Sequence, residues 1–367
     1  MSLMTAAPLR TLGLLAALFA PLAPADETDT GKDADKARAE AISEGRWQGL
    51  GSMADLYLNG ASPAEFLEAG DEEKSKHHNY AGAAAFYLTA ARLDPNNAFA
   101  SYQAAAALSA LDSPEFAVDY LDQARERGFW QVLIMKEDYE LVQMRKYPQY
   151  RKLLEAAEKN YAKHAKDAGL AAFSIPKGKA PAGGWPVLVW LSGYGTEGSS
   201  GTDMRAELVG DKAVLVALNG TLKRNDHSFM WEPRSVEPTA KAIDAALKKL
   251  ASNTPIDRSR VALMGFSQGA QHAAHLLASY PQQYSGALIV SPGGFDMPFT
   301  EHQARGKRVV VLHGAQEGKG NLAMASATEQ AFAEGNQVQS HEHAEGHTFQ
   351  DDWESAYPGY VRFALGI

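Results

Sequence analysis

The pattern of apolar and polar positions divides the chain into two halves with different periods. Over residues 80–93, 98–111, 114–127 and 147–164, apolar side chains, many of them alanine, recur at helical spacing. Beyond about residue 168 they gather instead into short unbroken runs at 186–191, 213–218, 261–264, 287–290 and 309–312. Such runs, without alternation, mark strands buried on both faces. Helical stretches at 238–252 and 268–280 lie between them, and 176–184, with three glycines and two prolines, reads as a loop. The pattern predicts an all-α domain of helical hairpins over residues 46–165, followed by an α/β domain over 166–367 whose mainly parallel central sheet is wrapped by helices.

The N-terminal residues follow neither pattern. Residues 1–25 carry a lone charge at Arg10, an apolar run from Leu12 to Ala20 and the small-residue sequence Ala23-Pro24-Ala25. That order predicts a secretory signal peptide cleaved after Ala25, because the apolar run is too short for a permanent membrane span. A frayed N-terminal helix is the other reading, and Pro21 and Pro24 count against it. Residues 26–45 read as a polar leader: between Asp26 and Lys76 there are 13 acidic and 6 basic residues. The expectation is an exported protein, periplasmic or secreted.

Within the helical half, Ala83, Tyr87 and Ala90 recur 34 residues later as Ala117, Leu121 and Ala124, and Asp94-Pro95-Asn96-Asn97 closes the first unit. On these residues the segment 80–128 resembles the tetratricopeptide-repeat family, in which small residues let paired helices approach and a proline ends the second helix. Phe129 stands where the second repeat would carry proline, and Lys74 where the first would carry an aromatic. The resemblance therefore covers one or two repeats, with a generic helical bundle as the alternative. Both imply a packing or docking module that would take a protein partner.

Composition narrows the chemistry. Lysine plus arginine total 35 against 44 acidic residues, a net charge of −9, so no basic field gathers nucleic acid. The 367 residues include no cysteine, which removes disulfides, thiolate nucleophiles, sulfur-ligated zinc and a lipoprotein anchor. A covalent mechanism must then use oxygen or nitrogen, with serine the leading nucleophile.

Gly265-Phe266-Ser267-Gln268-Gly269 directly follows the apolar run 261–264 and opens the helix 268–280. A serine raised above a sheet edge on so tight a strand-to-helix turn needs glycine two residues before and two after it. Its hydroxyl needs an imidazole to take the proton, and that imidazole needs a carboxylate to fix its tautomer. Both follow in the chain: Glu317 just past the run 309–312, and His347 after the strand-like stretch 337–343. The intervals of 50 and 30 residues leave room for a strand and a helix each. Asp296, Asp351 and Asp352 are the competing acids, with Glu317 favoured because it lies on the loop before the last strand. His341, His343 and His347 form a His-x-His-x₃-His cluster, but without a fourth ligand nearby no metal site is assigned. His313 reads as support for the acid loop, while His272 and His275 fall in the helix behind Ser267. Acyl transfer also requires two backbone N–H groups aimed at the oxyanion. Gln268 at the helix start supplies one, and Tyr194 in the loop Ser192-Gly193-Tyr194-Gly195 the other. Phe229, Trp231, Phe295 and Met297 are candidate pocket walls.

Together, the loop through Tyr194, Gly-Phe-Ser-Gln-Gly at Ser267, His-Gly-x-x-acid at Glu317 and Gly-His-x-Phe at His347 resemble the phospholipase/carboxylesterase group of α/β-hydrolases. That group includes acyl-protein thioesterases and small bacterial carboxylesterases. The resemblance spans residues 169–367 and departs at Ser192, where relatives usually have histidine, and at Glu317, where they usually have aspartate. Secreted feruloyl-esterase and polyhydroxyalkanoate-depolymerase-like enzymes share similar motifs. The resemblance implies a cofactor-independent serine hydrolase acting on small acyl esters. A peptidase of the same fold, and an inactive relative that binds through its helical half, remain the alternatives.

Overall fold

Local capping chemistry sets where the helices of the first half begin. Ser62 and Glu65 form a reciprocal capping box with Pro63 in the first turn, and this starts α1 (Pro63–Ser75). The side chains of Asn79 and Asn97 accept backbone N–H groups at the starts of α2 (Tyr80–Leu93) and α3 (Ala98–Ala110). Pro114 opens α4 (Pro114–Glu126); α5 (Val132–Glu137) and α6 (Pro148–His164) follow. The computed structural model describes residues 56–367 except 130, 226, 296, 300 and 301. The expected signal peptide and polar leader lie outside the described residues, as does Asp296.

The helical pattern did not mark α1, which has six charged residues among its 13 and buries only Phe66 and Gly70. The six positions of the 34-residue pattern, Ala83, Tyr87, Ala90, Ala117, Leu121 and Ala124, are all fully buried. Buried polar groups in this half answer one another. Asp71 accepts from the Tyr87 hydroxyl at 2.6 Å and from Gln103 at 3.2 Å, and Lys74 pairs with Glu140 at 3.3 Å. Tyr102 bonds to Asp138 through its hydroxyl and stacks on Phe129 with centroids 4.2 Å apart.

The chain divides into two compact units between residues 165 and 166. The second is a seven-stranded sheet in the order β1-β3-β2-β6-β7-β8-β9. β1 (Ala171–Ser174) is antiparallel to β3 (Val214–Leu218); β3, β2 (Trp185–Leu191), β6 (Ile256–Phe266), β7 (Gly286–Val290), β8 (Arg308–Gly314) and β9 (Gln337–His343) run parallel. Both β2 and β3 are buried at every position, so alternate side chains feed two cores. Val187, Val189 and Leu191 face the core covered by α8 (Glu237–Ala251), α9 (Gln268–Ser279) and α10 (Lys319–Phe332). Leu188 and Trp190 face the one covered by α7 (Arg205–Leu208) and α11 (Trp353–Leu365). At about 1.5–3 kcal/mol for each large apolar side chain buried, these two layers are what hold the sheet between its helices. The arrangement is the α/β-hydrolase fold, preceded by the helical region.

Two features differ from the pattern reading. A separate hairpin of β4 (Leu222–Asn225) and β5 (Ser228–Met230) inserts after β3. The interval from Ser267 to Glu317 holds α9 and two strands, β7 and β8, because no helix lies between those strands among the described residues.

Candidate active site

The turn between β6 and α9 carries Ser267 at φ 55° and ψ −121°, a backbone conformation costing a residue with a Cβ on the order of 1–3 kcal/mol. Three hydrogen bonds hold it there: Ser267 N donates to Val290 O at 3.1 Å, while Ser267 O accepts from Gln271 N at 3.1 Å and Gly293 N at 3.2 Å. The flanking glycines are sterically required. A Cβ on Gly265 would sit 2.2 Å from the Gly269 carbonyl oxygen, and one on Gly269 would sit 2.1 Å from that of Leu191.

From this turn a chain of polar contacts crosses the end of the sheet. The Ser267 Oγ lies 2.9 Å from His347 Nε2, and His347 Nδ1 lies 2.9 Å from Glu317 Oε2. Glu317 Oε1 accepts from the Gly314 amide at 3.2 Å. Burial alone would push the Glu317 carboxyl up. The bond from His347, the nearby Ser291 hydroxyl, the charge of His347 and the Gly314 amide together bring it down to about 2. An ionised Glu317 makes Nδ1 of His347 the donor, leaving Nε2 to accept the Ser267 proton. The loops carrying the acid and the imidazole are tied to each other: Ala315 N donates to His343 O at 2.8 Å, Gln316 N to Glu345 O at 3.1 Å, and Gln316 Nε2 to Ala344 O at 2.7 Å. The Phe266 ring lies 5.0 Å from the imidazole centroid on its other side.

Sequence reasoning passed over Asn321 and Ser291. The Asn321 amide lies 3.1 Å from His347 Nδ1, on the first turn of α10. That contact is made by Asn321 Nδ2, at the same imidazole nitrogen that faces Glu317. Ser291 is buried at φ 49° just after β7 and helps to hold the Glu317 carboxyl down. Nothing in the local pattern distinguishes either residue, because each reaches the site only through strand order.

The oxyanion loop follows β2. A Cβ on Gly193 would lie 3.4 Å from that of Ser267, so the loop passes directly over the serine, with Tyr194 next in the chain. Gln268 is the first residue of α9, where an N–H has no acceptor within the helix. The hairpin clamps this loop. Gly195 N donates to Phe229 O at 2.8 Å, Trp231 Nε1 to Ser192 O at 2.7 Å, and Thr196 Oγ1 to Gly193 O at 2.8 Å.

The candidate pocket walls Phe229 and Trp231 are both buried. Phe229 is 1% exposed and Trp231 is fully buried, because the hairpin folds them onto the sheet beneath the oxyanion loop. Phe295 is buried as well, its backbone paired with the Gln271 amide, and Met297 is half-buried against the same core. A cavity of about 320 Å³ lined by His275, Phe299 and His302 includes none of the Ser267, His347 or Glu317 side chains. His272 is buried, bonded to Thr239 at 3.0 Å and to the Glu232 carbonyl at 3.0 Å, and burial pushes its pKa down to about 3. Its role is structural.

Three further histidines near the acid loop each have a neighbour. His343 pairs with Glu345 at 2.7 Å, His313 lies 3.4 Å from Glu342, and the His341 ring packs on Tyr360. No group of three or more metal-ligating side chains converges among the described residues. Nor is any described helix long and apolar enough to cross a membrane.

Residues 185–354 match the model of the phospholipase/carboxylesterase family. That span includes Tyr194, Ser267, Glu317 and His347. Among solved structures, the chain is similar to a Bacillus cereus carboxylesterase at 18% identity, covering 56% of this chain and 98% of that one with a TM-score of 0.46. It is also similar to a carboxylesterase from Mesorhizobium loti at 19% identity, covering 48% of this chain and 88% of that one with a TM-score of 0.41. No curated protein matches the chain.

Proposed function

From the match of residues 185–354 to the phospholipase/carboxylesterase family, we propose that the protein is a serine hydrolase that cleaves carboxylic esters through an acyl-enzyme. The observation that carries this reading is the unbroken pair of 2.9 Å contacts from Ser267 through His347 to Glu317, ending on a serine held at φ 55°. Ser267 Oγ attacks the ester carbonyl as His347 Nε2 takes its proton, and Glu317 stabilises the imidazolium that forms. The negative oxygen of the tetrahedral intermediate is met by the backbone N–H groups of Gln268 and Tyr194, the first aided by the N-terminal end of the α9 dipole. His347 then protonates the leaving alcohol, and water, deprotonated by the same nitrogen, resolves the acyl-enzyme.

The two departures from the family pattern leave this geometry intact. The longer Glu317 side chain still reaches His347, and the Ser192 carbonyl serves the loop by accepting from Trp231. An inactive binding protein would not need a strained serine within 2.9 Å of an imidazole.

Export after cleavage near Ala25 belongs to the same proposal, as does a tetratricopeptide-like docking role for the helical unit. Sequencing the N-terminus of the secreted or periplasmic protein tests the first: a mature chain beginning at Asp26 is expected. Fluorophosphonate labelling, together with hydrolysis of short and long p-nitrophenyl esters, tests the chemistry. Labelling that is absent from the wild type, or unchanged in Ser267→Ala, overturns the enzyme reading.

A further inference from the structure

Arg224 projects from β4 beside the oxyanion loop. Its guanidinium carbon lies 4.1 Å from the Tyr194 ring centroid, and a Cβ on Gly195 would sit 3.1 Å from its Nη1. The side chain is half-buried, its Nε is shielded from solvent, and that Nε has no hydrogen-bond partner among the described residues. No carboxylate pairs with it among those residues either. Asp167 is taken by Lys223 at 2.7 Å, and Glu197 by His227 at 2.9 Å. A guanidinium keeps its charge at any physiological pH, and burying one without an anion is costly. Tyr194 offsets part of that cost through its aromatic face and a side-chain hydrogen bond with the guanidinium, while Nε stays unmatched among the described residues.

Its position relates this charge, without a carboxylate among the described residues, to the chemistry. Gly193 passes over Ser267, and Gly195, two residues on, lies against Arg224. Two residues span at most about 7 Å, so the guanidinium lies within reach of the remote end of a substrate whose scissile carbonyl sits at Ser267. The hairpin that holds Arg224 is bonded to the oxyanion loop through Gly195 N and Phe229 O, so charge and oxyanion donors move as one body.

We propose that Arg224 is a specificity-determining residue that selects esters bearing a carboxylate or phosphate at the end remote from the scissile bond. This rests on the serine-hydrolase reading and assigns its substrate class: anionic monoesters in preference to neutral ones. The anion receives two donors from the guanidinium fork, a charge-assisted pairing that neutral esters of the same length cannot form.

The test compares matched ester pairs on the full chain. For an anion on the acyl side, mono-4-nitrophenyl adipate is set against 4-nitrophenyl hexanoate; for one on the alcohol side, 4-acetoxybenzoate is set against its methyl ester. The wild type is expected to favour the charged member of at least one pair by about tenfold or more in kcat/KM, carried by KM and weakened by added salt. In Arg224→Gln that ratio is expected to collapse toward one, while Arg224→Lys retains part of it. A ratio unchanged in Arg224→Gln for both pairs overturns the proposal, even if all four rates fall together.

Should Arg224→Gln fail to fold, inhibition of the wild type decides: adipate is expected to inhibit more strongly than hexanoate, and equal inhibition overturns the assignment. Calorimetric binding of adipate to the wild type and to Arg224→Lys reads the same site without turnover. An anion site can therefore stand even if ester hydrolysis is not found, and the two failures are distinguishable.

Discussion

The principal buried polar networks of the two units end differently. In the helical unit, Asp71 is met by Tyr87 and Gln103, Lys74 by Glu140, and Tyr102 by Asp138. These partners come from neighbouring helices and fix how the helices pack, so the groups are consumed by the fold. In the hydrolase unit the Glu317–His347 contact ends on a serine hydroxyl at a strained backbone position, and the Arg224 guanidinium has no anion among the described residues. Polar groups satisfied by one another build structure. Those left strained or unmatched at a sheet edge are available to a substrate.

The sharpest way to break this contrast is at the serine. Ser267→Ala is expected to lower kcat/KM on p-nitrophenyl esters by about 10³- to 10⁶-fold with little change in Tm, since a hydroxyl is lost and no packing is. Next comes Glu317→Gln, which keeps the shape but not the charge and is expected to cost about 10²- to 10⁴-fold in kcat. Its pH signature follows from the carboxyl's fall from 4.5 to about 2 on folding. Because the folded value is depressed, the stabilisation is whole above pH 4.5 and is lost as pH drops toward 2. The stability gap between wild type and Glu317→Gln should therefore narrow over that window in denaturant titrations.

A smaller effect is expected from the opposite class of polar group. Asp71→Ala leaves the fully buried Tyr87 hydroxyl unmatched and should cost about 1–3 kcal/mol, read as a lower first transition on thermal unfolding, with ester hydrolysis retained. His272 sharpens the comparison within the hydrolase unit, where it is a consumed group rather than an available one. Held neutral with its pKa at about 3 against 6.5 in the unfolded chain, it makes the native state progressively less stable as pH falls from 6.5 toward 3. His272→Gln is expected to flatten that acid slope in a Tm-against-pH series. The smallest effect belongs to Asn321→Ala: a loss of about two- to tenfold in kcat with KM nearly unchanged, as expected of a group that orients the imidazole without touching substrate.

Much of the site was legible because its demands are local. The glycines around Ser267 are needed by a turn of five consecutive residues, and the close approaches at Gly265 and Gly269 show why. Glu317 follows the strand marked by the apolar run 309–312, and His347 follows the polar strand-like stretch 337–343. Legibility failed where a residue's surroundings come from far along the chain. The burial of Phe229 and Trp231 was not foreseen because nothing near them in sequence announces the β4–β5 hairpin that precedes Trp231 and lies under the oxyanion loop. Helix α1 was passed over because six of its 13 residues are charged and it buries only Phe66 and Gly70.

By itself the sequence determined the parallel sheet, the strand-to-helix turn at Ser267 and the order of serine, acid and imidazole, since each is set by side-chain period or by steric limits within a few residues. The tertiary structure decided the rest. Strand order brought Glu317 and His347 to the edge that carries Ser267, and the hairpin brought Arg224 over Tyr194. Those meetings join positions tens of residues apart, and they exist only once the two apolar layers have closed on the sheet and fixed which loops are neighbours.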